Sequence, residues 1–394
     1  MTPVIFDAGY GIMSAMIRER VVQWADRFIR LPVAGLDISD RSIKYVKFSP
    51  VRRGVIESFG EHAVAEGIIV EGRIERMLDF IAALREVRAL LGSRWRLMGA
   101  AASLPEEKSF LRLVQVPNVK PEEIAAALRW QIEGQIPLPA EDLAYDYQVI
   151  EPLIQGVDHR DVVITAYPKG VVDSYVRALK EAGFQPVALE LESQAIARAA
   201  LGVAPAYERL VQHSMSDKSP EGAIVVDMGR NRTSIAVSAA GSVLYTVTVP
   251  VGGRALEQAI AGALGVSADE AVSIKKEQGL ARDAHEGKLF ASLSPLADML
   301  AGELARTIAY YEDHIAHIHG GSRDIKRMLL SGGDANLPGL DTYLASRIRI
   351  PVSAADPFHG MERATPYPIP EIPKNESLAF AAAIGLACRG QIEK

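Results

Sequence analysis

Cysteine is almost missing from this chain of 394 residues: Cys388 is the only one, so no disulfide framework holds the fold. It lies in an apolar stretch and reads as a small buried hydrophobe in a reducing compartment, with cytoplasmic residence as the expectation. Long apolar runs are missing too, and none approaches the roughly 20 residues that cross a bilayer. There is no dense basic stripe, and the net charge is −6, which argues against a nucleic-acid backbone as partner. No Gly-rich Walker sequence with its Lys and Ser/Thr is present, so a P-loop NTPase is not indicated. His314, His317 and His319 stand beside Glu312 and Asp313. Their spacing is not HExxH, and a solvated helix end explains them better than a metal site.

What is present is 48% apolar and 23% charged, the balance of a soluble globular chain. Its length exceeds what one hydrophobic core usually serves, so two lobes or more are expected. Asp7, Arg18, Glu19 and Arg20 break the first thirty residues before any signal-peptide core can form. Met13, Met16, Ile17, Val21, Trp24, Phe28 and Ile29 recur there at helical spacing. Such a helix packs on its own protein, on a sister subunit, or in a membrane interface; its polar face mixes both charge signs, which favours the first two.

One pattern occurs twice. Residues 33–38 read as a buried strand, 39–42 as a tight turn, 43–48 as a returning strand, and 55–59 as a third. Residues 223–226, 227–232, 233–237 and 243–249 repeat that order, and a helix over 253–264 follows. Each copy ends its first strand in an aspartate, Asp37 and Asp227, and then reaches a hydroxyl, Ser42 and Thr233. Hairpin turns expose backbone N–H groups that wrap phosphate oxygens, so two hairpins can clasp one polyphosphate. Carboxylates repel phosphate, which requires a cation between them, most plausibly hydrated Mg²⁺; Lys44 adds positive charge. An aspartate ending one strand is ordinarily a turn former, but two matched copies carry more weight.

Further along, the run from Leu329 to Gly339, with Ser331, Gly332, Gly333 and Asn336, reads as strand, glycine turn and helix start; a lone Gly-Gly there is ordinarily just a turn, but its place well after the second hairpin suits a shelf where backbone approaches a flat base. Gly252 and Gly253 read as an elbow between strand and helix. Between the two hairpins, residues 110–116 read as a strand. A helix follows with Pro121, Glu122 and Glu123 in its first turn and Ile124, Leu128, Gln131 and Ile132 on one face. Trp130 is assigned to the core. Pro137 and Pro139 end that helix, and 145–150 and 162–167 continue as strands.

This order of elements resembles the actin, Hsp70 and sugar-kinase superfamily, an α/β fold in which two related lobes close on ATP. Within it, the stretch SLPEEKSFLRLVQVPNVKPEEIAAALRWQIEGQIPLPAEDLAYDYQVI, from Ser103 to Ile150, is similar to the PilM family of type IV pilus assembly proteins. The resemblance implies an actin/Hsp70-like ATPase fold with an inserted subdomain of the 1C type. Its divisions would be an N-terminal extension over 1–30, a first lobe over 31–105 and 166–222, the insert over 106–165, a second lobe over 223–355, and a connector with a returning helix over 356–394. It implies ATP and Mg²⁺ as cofactors, with Asp37 and Asp227 organising the metal and Ser42, Lys44, Gly229 and Thr233 contacting phosphate. Ser39 stands where the family usually has glycine. Lys275 falls where a lysine lies against adenosine, while Val272 replaces a ribose-binding carboxylate, which implies reduced affinity. Glu192 is the first choice, and Glu190 the second, for the residue that orients an attacking water; the alternative for both is an exposed carboxylate in a helix's first turn.

The family further implies an adaptor at the inner face of the inner membrane. It would bind the N-terminal cytoplasmic peptide of PilN in a groove beside the insert, contact other pilus components and assembly ATPases, and form a homo-oligomer or ring, at most a slow ATPase. The other classes are a sugar-type kinase, a filament-forming protein such as FtsA, and a GspL-like secretion adaptor. A kinase needs a substrate-side general base, and no distinct one is found. FtsA-like function would be favoured by a C-terminal amphipathic helix, which residues 390–394 do not supply.

Overall fold

The structure, a computed structural model, describes residues 32–49, 55–92, 97–150, 158–202, 222–315, 324–359 and 372–392. The expected N-terminal helix, His317 and His319, and most of the proline-rich connector lie outside these residues. No described helix is long and apolar enough to cross a membrane.

Near-continuous apolar strands with small residues favour sheets buried on both faces, and the chain builds two of them. The first sheet contains β1 (Val33–Ile38), β2 (Ser42–Phe48), β3 (Ile56–Ala63), and, after the short pair β4 (Ile69–Val70) and β5 (Arg73–Ile74) and helix α1 (Met77–Leu90), strand β6 (Met98–Leu104). The insert follows: β7 (Phe110–Pro117), α2 (Pro121–Gln135), β8 (Leu143–Ile150) and β9 (His159–Pro168). Helix α3 (Lys169–Glu181), β10 (Phe184–Leu191) and α4 (Glu192–Leu201) complete the first half. The second half runs β11 (Gly222–Met228), β12 (Thr233–Ala239), β13 (Ser242–Val249), α5 (Gly253–Leu264), α6 (Ala268–Gln278), α7 (Lys288–Tyr310), β14 (Ile325–Ser331), α8 (Leu340–Ile348) and β15 (Val352–Ala354). A helical turn Lys374–Ser377, a 3-10 turn Leu378–Phe380 and α9 (Ala381–Ile392) come last, so the helix expected over 377–387 is divided and extends further.

The two large sheets have one topology. Their orders are β3-β2-β1-β6-β10 and β13-β12-β11-β14-β15. In each, a central strand pairs antiparallel with its hairpin partner on one side and parallel with a later strand on the other. The repeat in sequence is therefore a repeat in architecture, and both hairpin turns fall at the carboxyl ends of the parallel strands, where open α/β sheets take their ligands.

Helix α9 returns to the first sheet and packs on β1 through glycines. A Cβ on Gly35 would stand 2.1 Å from the Ala383 carbonyl oxygen, and one on Gly385 would stand 1.9 Å from that of Ala195 in α4. Only hydrogen side chains permit so close an approach.

The insert has a core of its own. Strands β7, β9 and β8 form an antiparallel sheet whose Val114, Val116, Leu143, Val162, Ile164 and Ala166 pack on Ile124, Leu128 and Ile132 of α2. Pro121 opens that helix, and the Glu123 carboxylate accepts from the Lys120 N–H at 3.0 Å. Trp130, assigned to the core from sequence, is 78% exposed. It sits two residues from both Leu128 and Ile132, about 200° round the helix, and so faces away from the apolar stripe.

Candidate functional site

Hairpin register decides which side chains meet. Asp37 lies opposite Lys44 and Ile38 opposite Ile43, and the Ser39 N–H donates to the Ser42 carbonyl at 2.9 Å. In the second hairpin Asp227 lies opposite Ser234 and Met228 opposite Thr233, and the Gly229 N–H donates to the Arg232 carbonyl at 3.0 Å. The equivalences are thus Asp37 with Asp227, Ser39 with Gly229, Ser42 with Arg232, Ile43 with Thr233, and Lys44 with Ser234. The sequence matched Ser42 to Thr233, and that match is corrected. Strand side chains alternate, so Thr233 shares its face with Met228, not with Asp227. Its hydroxyl is buried and donates to the Val251 carbonyl at 2.6 Å, while Ser234 lines the cleft instead.

Ser39 closes the first turn. Its hydroxyl donates to the Ser42 carbonyl at 3.0 Å, and its oxygen accepts from the Ser42 N–H at 3.2 Å. In the second turn Gly229 takes that place, and the elbow expected at Gly252 and Gly253 is found there: their N-terminal helix turn is tied to the hairpin by Gly253 N–H to Gly229 O and Arg254 N–H to Arg230 O, at 3.1 and 2.8 Å. A Cβ on Gly252 would meet the Arg232 nitrogen at 2.6 Å.

Asp37, Ser39, Ser42, Lys44, Glu192, Asp227, Gly229, Gly332 and Gly333 all line one cleft of about 380 Å³ between the two sheets. Gly332, at a φ of +92°, brings the loop after β14 against the end of β11, where a Cβ would strike the Met228 carbonyl oxygen at 2.4 Å. The acids in this cleft are buried and crowded. Burial first, and then repulsion from Asp37, push the Asp227 carboxyl up to about 7, against the pull of Lys44 and a hydrogen bond from Ser331. Asp37 is raised by burial as well, against Lys44 and the Ser103 hydroxyl, which donates to it at 3.3 Å. Glu192, at the first position of α4, is raised well above the carboxylate range by burial, Asp37, Asp227 and Glu106. The positive helix end does not outweigh those charges. For Lys44, burial works against the charge, but the fields of Asp37, Glu61, Glu192 and Asp227 prevail and its pKa is raised.

Sequence reasoning missed Glu106, Glu107, Ser103, Glu61 and Arg232. Glu106 is buried and accepts from the Ser193 hydroxyl at 2.9 Å and the Ser193 N–H at 3.3 Å, gripping the first turn of α4. A signal existed: β6 runs parallel to β1 with Ala102 beside Leu36, so residues just after it emerge beside Asp37.

Besides Thr233, three expected site residues lie outside the cleft lining. Glu190 is neither in the cleft lining nor in a helix's first turn; it lies on β10, and its carboxylate takes two bonds from Arg198, at 2.5 and 2.8 Å. Arg198 is 9% exposed and also donates to the Gly385 carbonyl at 3.1 Å. Glu190→Ala is therefore expected to act on stability, at about 3–5 kcal/mol, because it takes the carboxylate partner from a buried guanidinium. Urea unfolding measures this, and a loss under 1 kcal/mol would contradict the structural role. Lys275 is buried in an ion network with Glu257 at 2.7 Å and with Asp334, and Glu257 also meets Arg230 at 3.3 Å. Asn336 is exposed and outside the cleft lining.

Carboxylates outnumber cations in the cleft, and this surplus fits a divalent cation as the missing charge. Among the described residues no three His, Cys, Asp or Glu side chains gather closely enough to hold a metal by themselves. Asp37 and Asp227 would be the residues to hold such an ion, through its bound water.

Comparison with known proteins agrees with the fold. A chain of a PilM–PilN type IV pilus biogenesis complex is similar over 93% of this chain and 100% of its own, at 21% identity and a TM-score of 0.72. The ethanolamine utilization protein EutJ from Carboxydothermus hydrogenoformans is similar over 95% of this chain and 98% of its own, at 19% identity and a TM-score of 0.51. The fold is thus actin-like. The family model of the type IV pilus assembly protein PilM matches residues 35–391. With nearly the whole of both lobes and the insert inside that match, the chain belongs to the PilM family of actin-like type IV pilus assembly proteins.

Proposed function

We propose that this chain is an ATP-binding adaptor of the type IV pilus inner-membrane complex, acting at the cytoplasmic face and holding the N-terminal peptide of a PilN-type partner beside its insert. One observation carries the nucleotide part: two equivalent hairpins bring Asp37 with Lys44, and Asp227 with Ser234, to a single cleft. Their turn N–H groups would cradle phosphate, Gly332 and Gly333 would back the base, and Lys44 would neutralise phosphate charge. Mg²⁺, if bound, supplies the positive charge that lets Asp37 and Asp227 sit near a polyphosphate. Burial and the neighbouring acids Asp37, Asp227 and Glu106 raise the pKa of Glu192. A cation near Asp37 and Asp227 would lower that pKa, leaving a carboxylate that can accept a water's proton but only as a weak base, so turnover is expected to be slow.

The peptide part rests on the insert. Its sheet has two outer strands, β7 and β8, and a segment without helix propensity can add along such an edge with its side chains in apolar pockets. The PilM–PilN complex shows a PilM with PilN, and this chain shares that fold.

Titration calorimetry tests both parts together. Mg-ATP and the PilN N-terminal peptide are titrated separately, and then each with the other prebound. The expected result is binding of both, with the affinity of one changed by the other and that coupling abolished in Asp37→Ala. Peptide binding without ATP binding would leave a static scaffold, and no peptide binding would remove the adaptor reading.

A further inference from the structure

Of the two arginines in the second hairpin turn, Arg232 has a place that the rest of the cleft does not explain. Arg41 is held by Glu66 at 2.9 Å and Arg230 by Glu257 at 3.3 Å, each within its own lobe. Arg232 instead reaches across the cleft. Its Nη1 lies 2.6 Å from Glu107, at the entrance to the insert, and its Nη2 lies 3.9 Å from Asp40 in the first lobe. Asp40 is already bonded by two backbone donors, Glu71 N–H at 3.1 Å and Gly72 N–H at 3.0 Å, so Glu107 is the main partner. All three side chains are partly exposed, at 29% for Arg232, 22% for Glu107 and 21% for Asp40. An ion pair so placed is weak, because water screens it.

We propose that Arg232 is a ligand of the terminal phosphate, paired with Glu107 until the incoming anion draws it away. This rests on the nucleotide reading above. With the base at Gly332 and Gly333, the phosphate chain runs toward the hairpin turns and Glu192. Glu107 adjoins Glu106, which grips Ser193 at the head of α4, so the guanidinium stands on the Glu192 side of the cleft, at the far end of the phosphate chain. A planar guanidinium bonds two phosphate oxygens at once, and a dianionic terminal phosphate offers more charge than the single carboxylate it replaces. The exchange also has a mechanical reading. Glu107 belongs to the 3-10 turn Glu106–Lys108, which leads directly into β7 of the insert. Withdrawing Arg232 from Glu107 removes the ion pair that links the second hairpin turn to this turn, while Glu106 keeps its hold on Ser193.

The test compares Mg-ATP, Mg-ADP and Mg-tripolyphosphate by calorimetry on the full chain, wild type, Arg232→Ala, Arg232→Lys and Glu107→Gln, with circular dichroism melts confirming that each variant is folded. Arg232→Ala is expected to weaken ATP and tripolyphosphate about tenfold or more and to leave ADP within about twofold. Arg232→Lys should recover part of the loss, since it keeps the charge but not the fork. Glu107→Gln, which releases the arginine, should tighten ATP about two- to fivefold. Equal effects on ATP and ADP, or none, overturn the proposal while leaving the nucleotide site intact. Failure of the wild type to bind ATP or tripolyphosphate overturns the nucleotide reading, and this proposal with it.

Discussion

Raising the pH of the nucleotide-free, metal-free protein from 5.5 to 8 is expected to lower its melting temperature by several degrees. The cause is the crowd of acids in the cleft. Asp227 is pushed up to about 7 in the folded state, and Asp37 and Glu192 are raised as well. Unfolded, such groups lose their protons near pH 4. Between the two values the folded state holds more protons than the unfolded one, so stability falls as pH rises through that window. It is full below the unfolded pKa and lost above the folded pKa. For one carboxyl moved this far the loss is on the order of a few kcal/mol. Asp227→Asn removes one charge of the crowd and should flatten the dependence: nearly unchanged melting at pH 5.5, higher than wild type at pH 8, with Mg-nucleotide binding lost. Calorimetric scans at three pH values decide it. A wild-type melting temperature that climbs steadily from pH 5.5 to 8 would remove the crowded-acid account.

The second large effect is expected at the seam between α9, β1 and α4. Gly385→Val would drive a branched side chain into the Ala195 carbonyl, where even a lone Cβ comes within 1.9 Å of oxygen. Backbone on both sides leaves no rotamer that escapes, so the helix must lift from its bed. A cost of about 3 kcal/mol or more is expected, at the upper end for overpacking. Gly262 in α5 provides the contrast, because a Cβ there meets nothing within 4 Å. Gly262→Ala should be neutral or stabilising by about 0.5–1 kcal/mol through helix propensity. Urea denaturation of both variants measures the difference, and equal midpoints would show that the seam can relax.

The parts of this molecule that were legible in its sequence are those set by local pattern. Strand β1 over 33–38 and helix α5 over 253–264 fall where they were expected, since an unbroken apolar run and a glycine elbow are complete within a few residues. The paired aspartates were legible because the duplication states them twice. What was not legible depends on register and on partners far along the chain. Ser42 and Thr233 each follow a turn and carry a hydroxyl, but cross-strand pairing sets Thr233 opposite Met228, on the other face. Glu190 and Glu192 stand two residues apart. The structure gives one to Arg198 and the other to the cleft, a division made by the change from strand to helix between them, with Leu191 as the N-cap. Glu106 was hidden in the approach to the insert, because its importance comes from Ser193, which lies far away in sequence.

The return of α9 to β1 also sets an order of events during synthesis. The strand that begins the first sheet is made before all other described elements, and the helix that covers it is made after all of them. The second sheet, by contrast, has its strands and helices close together in the chain. On a ribosome the later lobe is thus able to finish soon after it emerges, while the earlier lobe waits with Gly35 and its neighbours uncovered. Contacts between such distant segments are slow to form, because a long loop must close before they gain anything. A nascent chain halted before Ala381 would keep that apolar face open, the condition under which a chaperone or another unfinished copy would occupy it.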